Sequence, residues 1–225
     1  MRLFHLTSLG LLLLIPVSLM ARKKEKLFNK KKHNEWYAFE EKSGRHINAA
    51  GSFSVDRKMI RLYGPHAGYL MTNRSFSNFQ LTAKFRWNTD RSFVRKNTSK
   101  NSGLMYLVPR EVTDTLWPKG IQFQIKEGAC GDFILLQGTT LNVQGKIQGQ
   151  GRSVVVKRIA DAEKPAGSWN TLQIRVKDGT VEQILNGTLV NKGSISTPKE
   201  GRILLQYEGF PIDFKNIEIS LFSKD

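Results

Sequence analysis

Residues 80–87, Gln-Leu-Thr-Ala-Lys-Phe-Arg-Trp, decide the fold. Polar and apolar residues alternate along this stretch, and successive side chains of a β-strand point to opposite faces of a sheet. The stretch therefore predicts a half-buried strand, with Phe85 and Trp87 on a core and Lys84 and Arg86 pointing away from it.

Similar short apolar runs recur along the chain, separated by residues that favour turns. Asp178-Gly179 and Asn186-Gly187 are strong hairpin dipeptides, so each predicts a tight turn between two strands. Almost no segment has the period of a helix. About ten short strands predict an all-β sandwich of two antiparallel sheets. The other runs are Phe53–Leu62, Gly103–Val108, Ile121–Ile125, Phe133–Leu136, Ser153–Ile159, Thr171–Val176, Val181–Leu185, Ile203–Tyr207 and Phe214–Phe222.

Length and composition indicate one folded domain, which we place at residues 22–225. The 225 residues are 40% hydrophobic, enough to bury one sizeable core. The 19 glycines and 7 prolines are spread between the apolar runs, which excludes a collagenous or linker-like chain. Cys130 is the only cysteine, so the fold depends on its core and not on an internal disulfide.

The N-terminus resembles an export signal. Met1-Arg2 is a positive start, Leu9–Met20 is mostly apolar, and Ala21 is a small residue after which cleavage can occur. Residues 1–21 therefore predict a signal peptide, a secreted or periplasmic protein, and no stable membrane span after cleavage. The basic residues that follow leave a retained N-terminal anchor as the alternative.

The formal net charge of +16 raises the question of nucleic acid as a partner. Much of the excess lies in residues 22–32 and in the loop-like stretch 91–100. The sequence has no helix-turn-helix pattern, zinc-ligand spacing or RNP-like aromatic motif. We therefore expect no nucleic-acid partner, and at most salt-dependent adsorption to anionic surfaces.

Seven elements in chain order, spanning about Leu27 to Phe222, resemble motifs of the 3-keto-disaccharide hydrolase family. No single element is specific, but their order along the chain makes the resemblance strong. They are Leu27-Phe28-Asn29 with Trp36, Gly68-Tyr69-Leu70-Met71-Thr72 with the strand Phe79–Trp87 after it, Asn101-Ser102-Gly103-Leu104, Trp117–Ile125 with Gly131-Asp132-Phe133, Lys164–Asn170, Leu185-Asn186-Gly187, and Phe214-Lys215-Asn216-Ile217.

The resemblance implies a concanavalin-like jelly roll that holds a saccharide on one sheet and its rim loops. It also implies a substrate that is a glycoside already oxidised to a ketone at C3. That ketone acidifies the C2 hydrogen, so a general base can remove the proton, an electrophile can stabilise the enolate, and the C1 substituent can leave by β-elimination. Such a site does not need the paired carboxylates of ordinary glycosidases.

One position departs from the family pattern. Gln122 occupies the place of the usual glutamate, and a neutral amide can bind a sugar hydroxyl but cannot act as a base. Gln122, Gln124 and Lys126 alternate with Phe123 and Ile125, so they share one strand face and predict a row that binds substrate. A solvated face without a ligand is the alternative.

Three other residues are candidate bases. Glu127 and Asp132 bracket a glycine-containing turn, which could bring their carboxylates together as catalytic groups or as ligands of a divalent cation such as calcium. His66 lies in a turn beside a matched motif, and histidine is a common general base near neutral pH. Each of the three is otherwise a plain surface residue.

Three further residues are candidates for substrate binding. Trp117 precedes a proline in a predicted rim loop and could stack on a sugar ring. Arg86 and Asn101 lie at matched motifs and could bind a keto oxygen or a hydroxyl, or could make structural hydrogen bonds.

Two function classes remain open on the sequence. The resemblance and the export signal favour an enzyme that cleaves 3-keto-glycosides, whereas Gln122 favours a noncatalytic carbohydrate-binding module. A structural envelope protein that uses the same sandwich is a third possibility.

Overall fold

A computed structural model describes residues 24–28, 35–46, 53–56, 59–95, 98–196 and 200–222, without the side chains of residues 55 and 56. The described residues form two antiparallel β-sheets, which confirms the predicted all-β sandwich. The predicted signal peptide at residues 1–21 lies outside them. Among the described residues, no helix is long and apolar enough to cross a bilayer.

The first sheet has ten strands, numbered here in chain order. Strand β1 pairs with β19 beside the main path. In spatial order the others are β13 (Lys146–Gln148), β12 (Leu141–Val143), β17 (Thr188–Ser194), β16 (Thr180–Leu185), β15 (Asn170–Lys177), β8 (Phe79–Trp87), β19 (Ile212–Leu221), β5 (Met59–Leu62) and β4 (Ser54–Asp56), with β1 at Lys24–Lys26.

The second sheet has nine strands. Strand β7 pairs with the end of β18 beside the main path. In spatial order the others are β14 (Ser153–Val156), β11 (Phe133–Leu136), β10 (Gly120–Lys126), β9 (Asn101–Val108), β18 (Glu200–Tyr207), β6 (Gly68–Thr72), β2 (Trp36–Glu40) and β3 (Gly44–His46), with β7 at Phe76–Ser77.

The two predicted hairpins are confirmed. Asp178-Gly179 joins β15 to β16, and Asn186-Gly187 joins β16 to β17. All four residues have positive φ, between 48° and 88°, the conformation that a two-residue hairpin turn requires and that Asn, Asp and Gly tolerate best. The predicted single run Phe53–Leu62 is instead two paired strands, β4 and β5.

The main core lies between the two sheets. Strand β8 alternates as predicted, with Leu81, Phe85 and Trp87 buried in the core and the residues between them partly exposed. Strand β18 contributes Ile203, Leu205 and Tyr207 to the same core. Its alternate residues therefore point to the outer face of the nine-stranded sheet.

That outer face is also partly covered. A second apolar cluster on it includes Tyr69, Met105 and Leu204, and the loop at residues 109–119 crosses above. Asp114 in this loop accepts hydrogen bonds from the hydroxyls of Tyr37 at 2.7 Å and Tyr69 at 2.5 Å. Burial raises the pKa of Tyr37 to about 12, so its phenol stays a proton donor at neutral pH. These bonds fix the loop as one wall of the neighbouring cleft.

Candidate functional site

A cleft of about 730 Å³ opens on the outer face of the nine-stranded sheet. We call it the Glu208 cleft. Strands β9, β10, β11 and β14 supply much of its lining, and the rest comes from the 109–119 loop and from single residues next to β11, β14 and β18. Its lining residues are Asn101, Trp117, Gln122, Gln124, Ile134, Leu136, Gln137, Arg152, Ser153, Val155 and Glu208.

Strand β10 places a polar row in this cleft. Gln122 and Gln124 both line it and are only 3% and 9% exposed, while Phe123 and Ile125 point into the core. Lys126, the third member of the row, is exposed at the end of the strand. The alternation therefore sorts β10 into one core face and one cleft face.

Gly103 makes room for this row. It pairs with Gln124 across β9 and β10, and its missing side chain leaves space that Gln122 fills. A Cβ atom at position 103 would lie 2.3 Å from Gln122 Cδ, closer than any van der Waals contact. Glycine is therefore needed here for close side-chain approach and not for backbone conformation.

Four side chains form a hydrogen-bond chain that ends on Glu208. Gln122 Nε2 donates to Gln124 Oε1 at 2.5 Å, and Gln124 Nε2 donates to Asn101 Oδ1 at 3.2 Å. Asn101 Nδ2 in turn donates to Glu208 Oε2. Every amide in the chain donates toward the carboxylate, so the chain fixes the orientation of each side chain.

Glu208 has an unusual environment for a carboxylate. Burial raises its pKa, and the hydrogen bonds from Trp117 and Asn101 and the charge of Lys126 offset part of that rise. Among the residues that the structure describes, Glu208 is the only carboxylate that lines the cleft. A half-buried carboxyl whose pKa is raised, and which hydrogen-bond donors hold in place, is suited to accept a proton.

Trp117 forms the rim of the cleft. Its side chain is 41% exposed, and its indole Nε1 donates to Glu208 Oε1 at 3.3 Å. Gln137 Nε2 donates to the carbonyl oxygen of Trp117 at 3.2 Å. Gln137 itself has a φ of +54°, an uncommon conformation for a residue other than glycine, in the turn after β11. Trp117 is thus held at the rim of the cleft while part of the residue stays exposed.

One acceptor in the cleft has no partner. Gln122 Oε1 is buried and accepts no hydrogen bond from the described residues. Buried polar atoms in folded proteins are nearly always paired, with protein groups or with water. A ligand hydroxyl would satisfy this atom.

The structure does not bring Glu127 and Asp132 into the Glu208 cleft. Glu127 is exposed and pairs with Lys100 Nζ at 2.7 Å. Asp132 is buried and accepts a hydrogen bond from the backbone N–H of Arg158 at 2.9 Å. Both carboxylates are therefore engaged in local structure, because the turn between them directs their side chains to different partners.

His66 and Arg86 also lie outside the cleft lining. Arg86 is on β8 of the opposite sheet, where its Nε donates to the fully buried carboxylate of Asp213 at 3.0 Å. At this matched position Arg86 therefore forms an ion pair on the far face of the sandwich. His66 is half-buried in the loop between β5 and β6.

The sequence suggested Glu127 and Asp132 as ligands of a divalent cation such as calcium. Within the described ranges, no group of three or more His, Cys, Asp or Glu side chains is arranged to hold a metal ion.

Sequence reasoning missed Glu208, Gln137 and Arg152. Glu208 follows a predicted strand and continues the alternation of Leu204 and Gln206, so its face was readable from the pattern. Its meeting with Asn101 depends on the pairing of β18 with β9, which are about a hundred residues apart in the chain. No local signal predicts that pairing.

Comparison with known families agrees with the predicted resemblance. The model of the 3-keto-alpha-glucoside-1,2-lyase-like domain matches residues 23–220. No curated protein matches the chain at a significant level.

Several solved structures share the fold. A protein of Parabacteroides distasonis ATCC 8503 named "putative glycosyl hydrolase" is 20% identical, with a TM-score of 0.58 over 89% of this chain and 100% of that one. The β-glucanase of Bacillus licheniformis is 12% identical, with a TM-score of 0.53 over 90% and 98%. The carbohydrate-binding module CBM66 of Bacillus subtilis is 13% identical, with a TM-score of 0.51 over 75% and 90%. At these identities the likeness shows the concanavalin-like fold alone.

Proposed function

This chain belongs to the family of 3-keto-alpha-glucoside-1,2-lyase-like domains, and from that premise we propose that it cleaves 3-keto-glycosides with Glu208 as the general base. The family is glycan-related, and the fold is one that both carbohydrate-binding modules and glucanases use. The observation that carries the proposal is the raised pKa and fixed position of the Glu208 carboxyl in the cleft.

The proposed reaction begins at C2 of the keto sugar. The C3 ketone acidifies the C2 hydrogen, and the Glu208 carboxylate accepts that proton as the electron pair moves into the enolate. The enolate then collapses, the C1–O bond breaks, and a C1=C2 double bond forms in conjugation with the ketone. The leaving oxygen takes a proton from water, so atoms and charge balance.

The enolate needs an electrophile, and Lys126 is our candidate. The positive charge of Lys126 lowers the pKa of Glu208, so its ammonium group is near enough to act on a negative charge in the cleft. A cation facing a developing oxyanion stabilises the transition state more than the neutral ketone. Gln122 and Gln124 would bind hydroxyls, with the unpaired Gln122 Oε1 accepting from one of them.

The test is product release from a 3-keto-disaccharide by the purified protein. We expect a monosaccharide and an α,β-unsaturated keto sugar, with no reaction on the parent disaccharide that lacks the ketone. Parallel reactions with and without chelator measure any dependence on a divalent cation. Cleavage of both disaccharides at equal rates would indicate an ordinary glycosidase and would contradict the proposal.

A noncatalytic carbohydrate-binding module is the second candidate, favoured by Gln122 at the position of the family glutamate. The variant Gln122→Glu separates the two. Higher turnover in this variant would identify a weakened enzyme, because a second carboxylate assists proton transfer. Weaker sugar binding without any turnover would identify a binding module, because the added charge disrupts an arrangement adapted to neutral hydroxyls.

We also propose that the protein acts outside the cytoplasm. The support is the sequence of residues 1–21, with its positive start, apolar run and small residue at position 21.

A further inference from the structure

A second, smaller cleft of about 290 Å³ adjoins the Glu208 cleft. We call it the outer cleft. Trp117, Gln137 and Arg152 line both clefts, so these three residues stand at their junction. The other lining residues of the outer cleft are Phe39, Glu41, Thr115 and Leu116.

The junction is held by the backbone around it. Gln137 N donates to the carbonyl oxygen of Arg152 at 2.9 Å, and Gly138 N donates to that of Gly151 at the same distance. The side chain of Gln137 also holds the backbone of Trp117. Gln137 therefore holds the backbone carbonyls of both Arg152 and Trp117.

The guanidinium of Arg152 has its donors available for a ligand. It forms no hydrogen bond or ion pair with any described residue, whereas Arg61, Arg86 and Arg158 each pair with a carboxylate. The Glu208 carboxylate accepts hydrogen bonds from Asn101 and Trp117. Arg152 thus presents free donors to whatever occupies the junction.

The outer cleft offers a place for the second sugar of a disaccharide that reacts at Glu208, because the two clefts share Trp117, Gln137 and Arg152. If its keto sugar lies beside Glu208 and its second sugar in the outer cleft, the glycosidic oxygen between them lies at the junction. That oxygen becomes negatively charged when the C1–O bond breaks. A planar guanidinium with several donors is well suited to such an oxyanion, and it keeps its positive charge throughout the reaction.

We propose that the outer cleft binds the leaving sugar and that Arg152 stabilises its departing oxygen. This inference rests on the function proposed above and adds a residue for the second step of the reaction. Arg152 donates hydrogen bonds to the oxygen as the C1–O bond breaks, and water then supplies the proton. The C2 proton still goes to Glu208.

The experiment compares two leaving groups in wild type and Arg152→Gln. An ordinary sugar is a poor leaving group and needs stabilisation, whereas p-nitrophenolate is a good one and does not. For the 3-keto-disaccharide we expect kcat to fall on the order of 10²-fold, near the lower range for loss of one oxyanion donor. For p-nitrophenyl 3-keto-glucoside we expect a loss of less than about threefold, because little charge needs protein stabilisation. Arg152→Lys should recover part of the loss.

Two further measurements distinguish a role in departure from structural damage. Arg110→Gln is the matched control, because Arg110 is exposed and lines neither cleft. Exchange of the C2 hydrogen in heavy water reports the first step alone, and we expect it to be unchanged in Arg152→Gln.

Failure of the role of Arg152 and failure of the proposed function give different results. Equal losses with both leaving groups, a loss of C2 exchange, or no loss with the disaccharide would each overturn the role of Arg152 while the proposed function stands. A wild-type protein that neither exchanges the C2 hydrogen nor releases sugar would overturn the proposed function, and the inference with it.

Discussion

Replacing Gln124 with alanine should weaken sugar binding without unfolding the protein. Gln124 connects Gln122 to Asn101 through two hydrogen bonds, of 2.5 and 3.2 Å, at a position that is 9% exposed. Each such bond contributes about 0.5–1.5 kcal/mol net, so the pair corresponds to about 1–3 kcal/mol. If the free energy of sugar binding weakens by this amount, the dissociation constant rises about 5- to 150-fold.

The loss should appear in binding more than in folding. In the free variant, water can enter the open cleft and pair with the released groups of Gln122 and Asn101. A bound sugar displaces this water and leaves those groups poorly paired or misoriented. We therefore expect the free energy of unfolding to change by less than about 1 kcal/mol.

Titration calorimetry with the parent disaccharide measures the affinity, because that sugar lacks the ketone and is not consumed. The matched control is Gln173→Ala, the same substitution on β15 of the opposite sheet, at a residue that is only partly buried. Equal affinities for wild type, Gln124→Ala and the control would refute the assignment of this strand face to the binding site.

Three further predictions follow from particular residues. Gly103→Ala should displace Gln122, because the new Cβ would lie 2.3 Å from Gln122 Cδ; a sugar affinity equal to that of wild type would contradict this. Burial raises the pKa of Glu208, so the folded state binds this proton more tightly than the unfolded state does. The free energy of unfolding of the wild type should therefore fall as the pH rises from the unfolded glutamate pKa of about 4.3 through the raised pKa of the folded state. Glu208→Gln should remove that part of the pH dependence in urea unfolding from pH 4 to 8, and a pH-independent difference between the two proteins would argue against the raised pKa. For export, intact mass of the secreted protein should give an N-terminus near Arg22, whereas a full-length mass in the membrane fraction would support an anchor.

The sheet architecture was predictable because it depends on local pattern. Alternation along residues 80–87 gave the faces of β8, and Asp178-Gly179 and Asn186-Gly187 gave two hairpins. The same period of two correctly separated Gln122 and Gln124 from Phe123. A two-residue period is a property of the strand itself, so no knowledge of its neighbours is needed.

The candidate base was not predictable in the same way. Glu127 and Asp132 were chosen because they flank one turn, yet Lys100 and Arg158 engage them. Glu208 directly follows β18, and its role depends on contacts with Asn101 and Trp117 that long-range pairing creates. Desolvation, which raises its pKa, is likewise a property of the assembled cleft and not of the adjacent sequence.

The arginine candidates show the same limit. Arg86 is close to a matched motif but faces away from the core on the opposite sheet, where Asp213 binds it. Arg152 lies in no quoted motif, and only the fold brings it to the junction of two clefts.

Hydrogen exchange at C2 tests the central claim, that Glu208 is the base, most directly. A 3-keto-glycoside is incubated in heavy water with wild type, Glu208→Gln or Glu163→Gln, and deuterium at C2 is measured by NMR. Glu163 is the matched control because burial also raises the pKa of its carboxyl, but it does not line the cleft. We predict that wild type and Glu163→Gln incorporate deuterium and that Glu208→Gln loses at least about 10²-fold of that rate, the contribution expected of a general base. Undiminished exchange by Glu208→Gln would contradict the account.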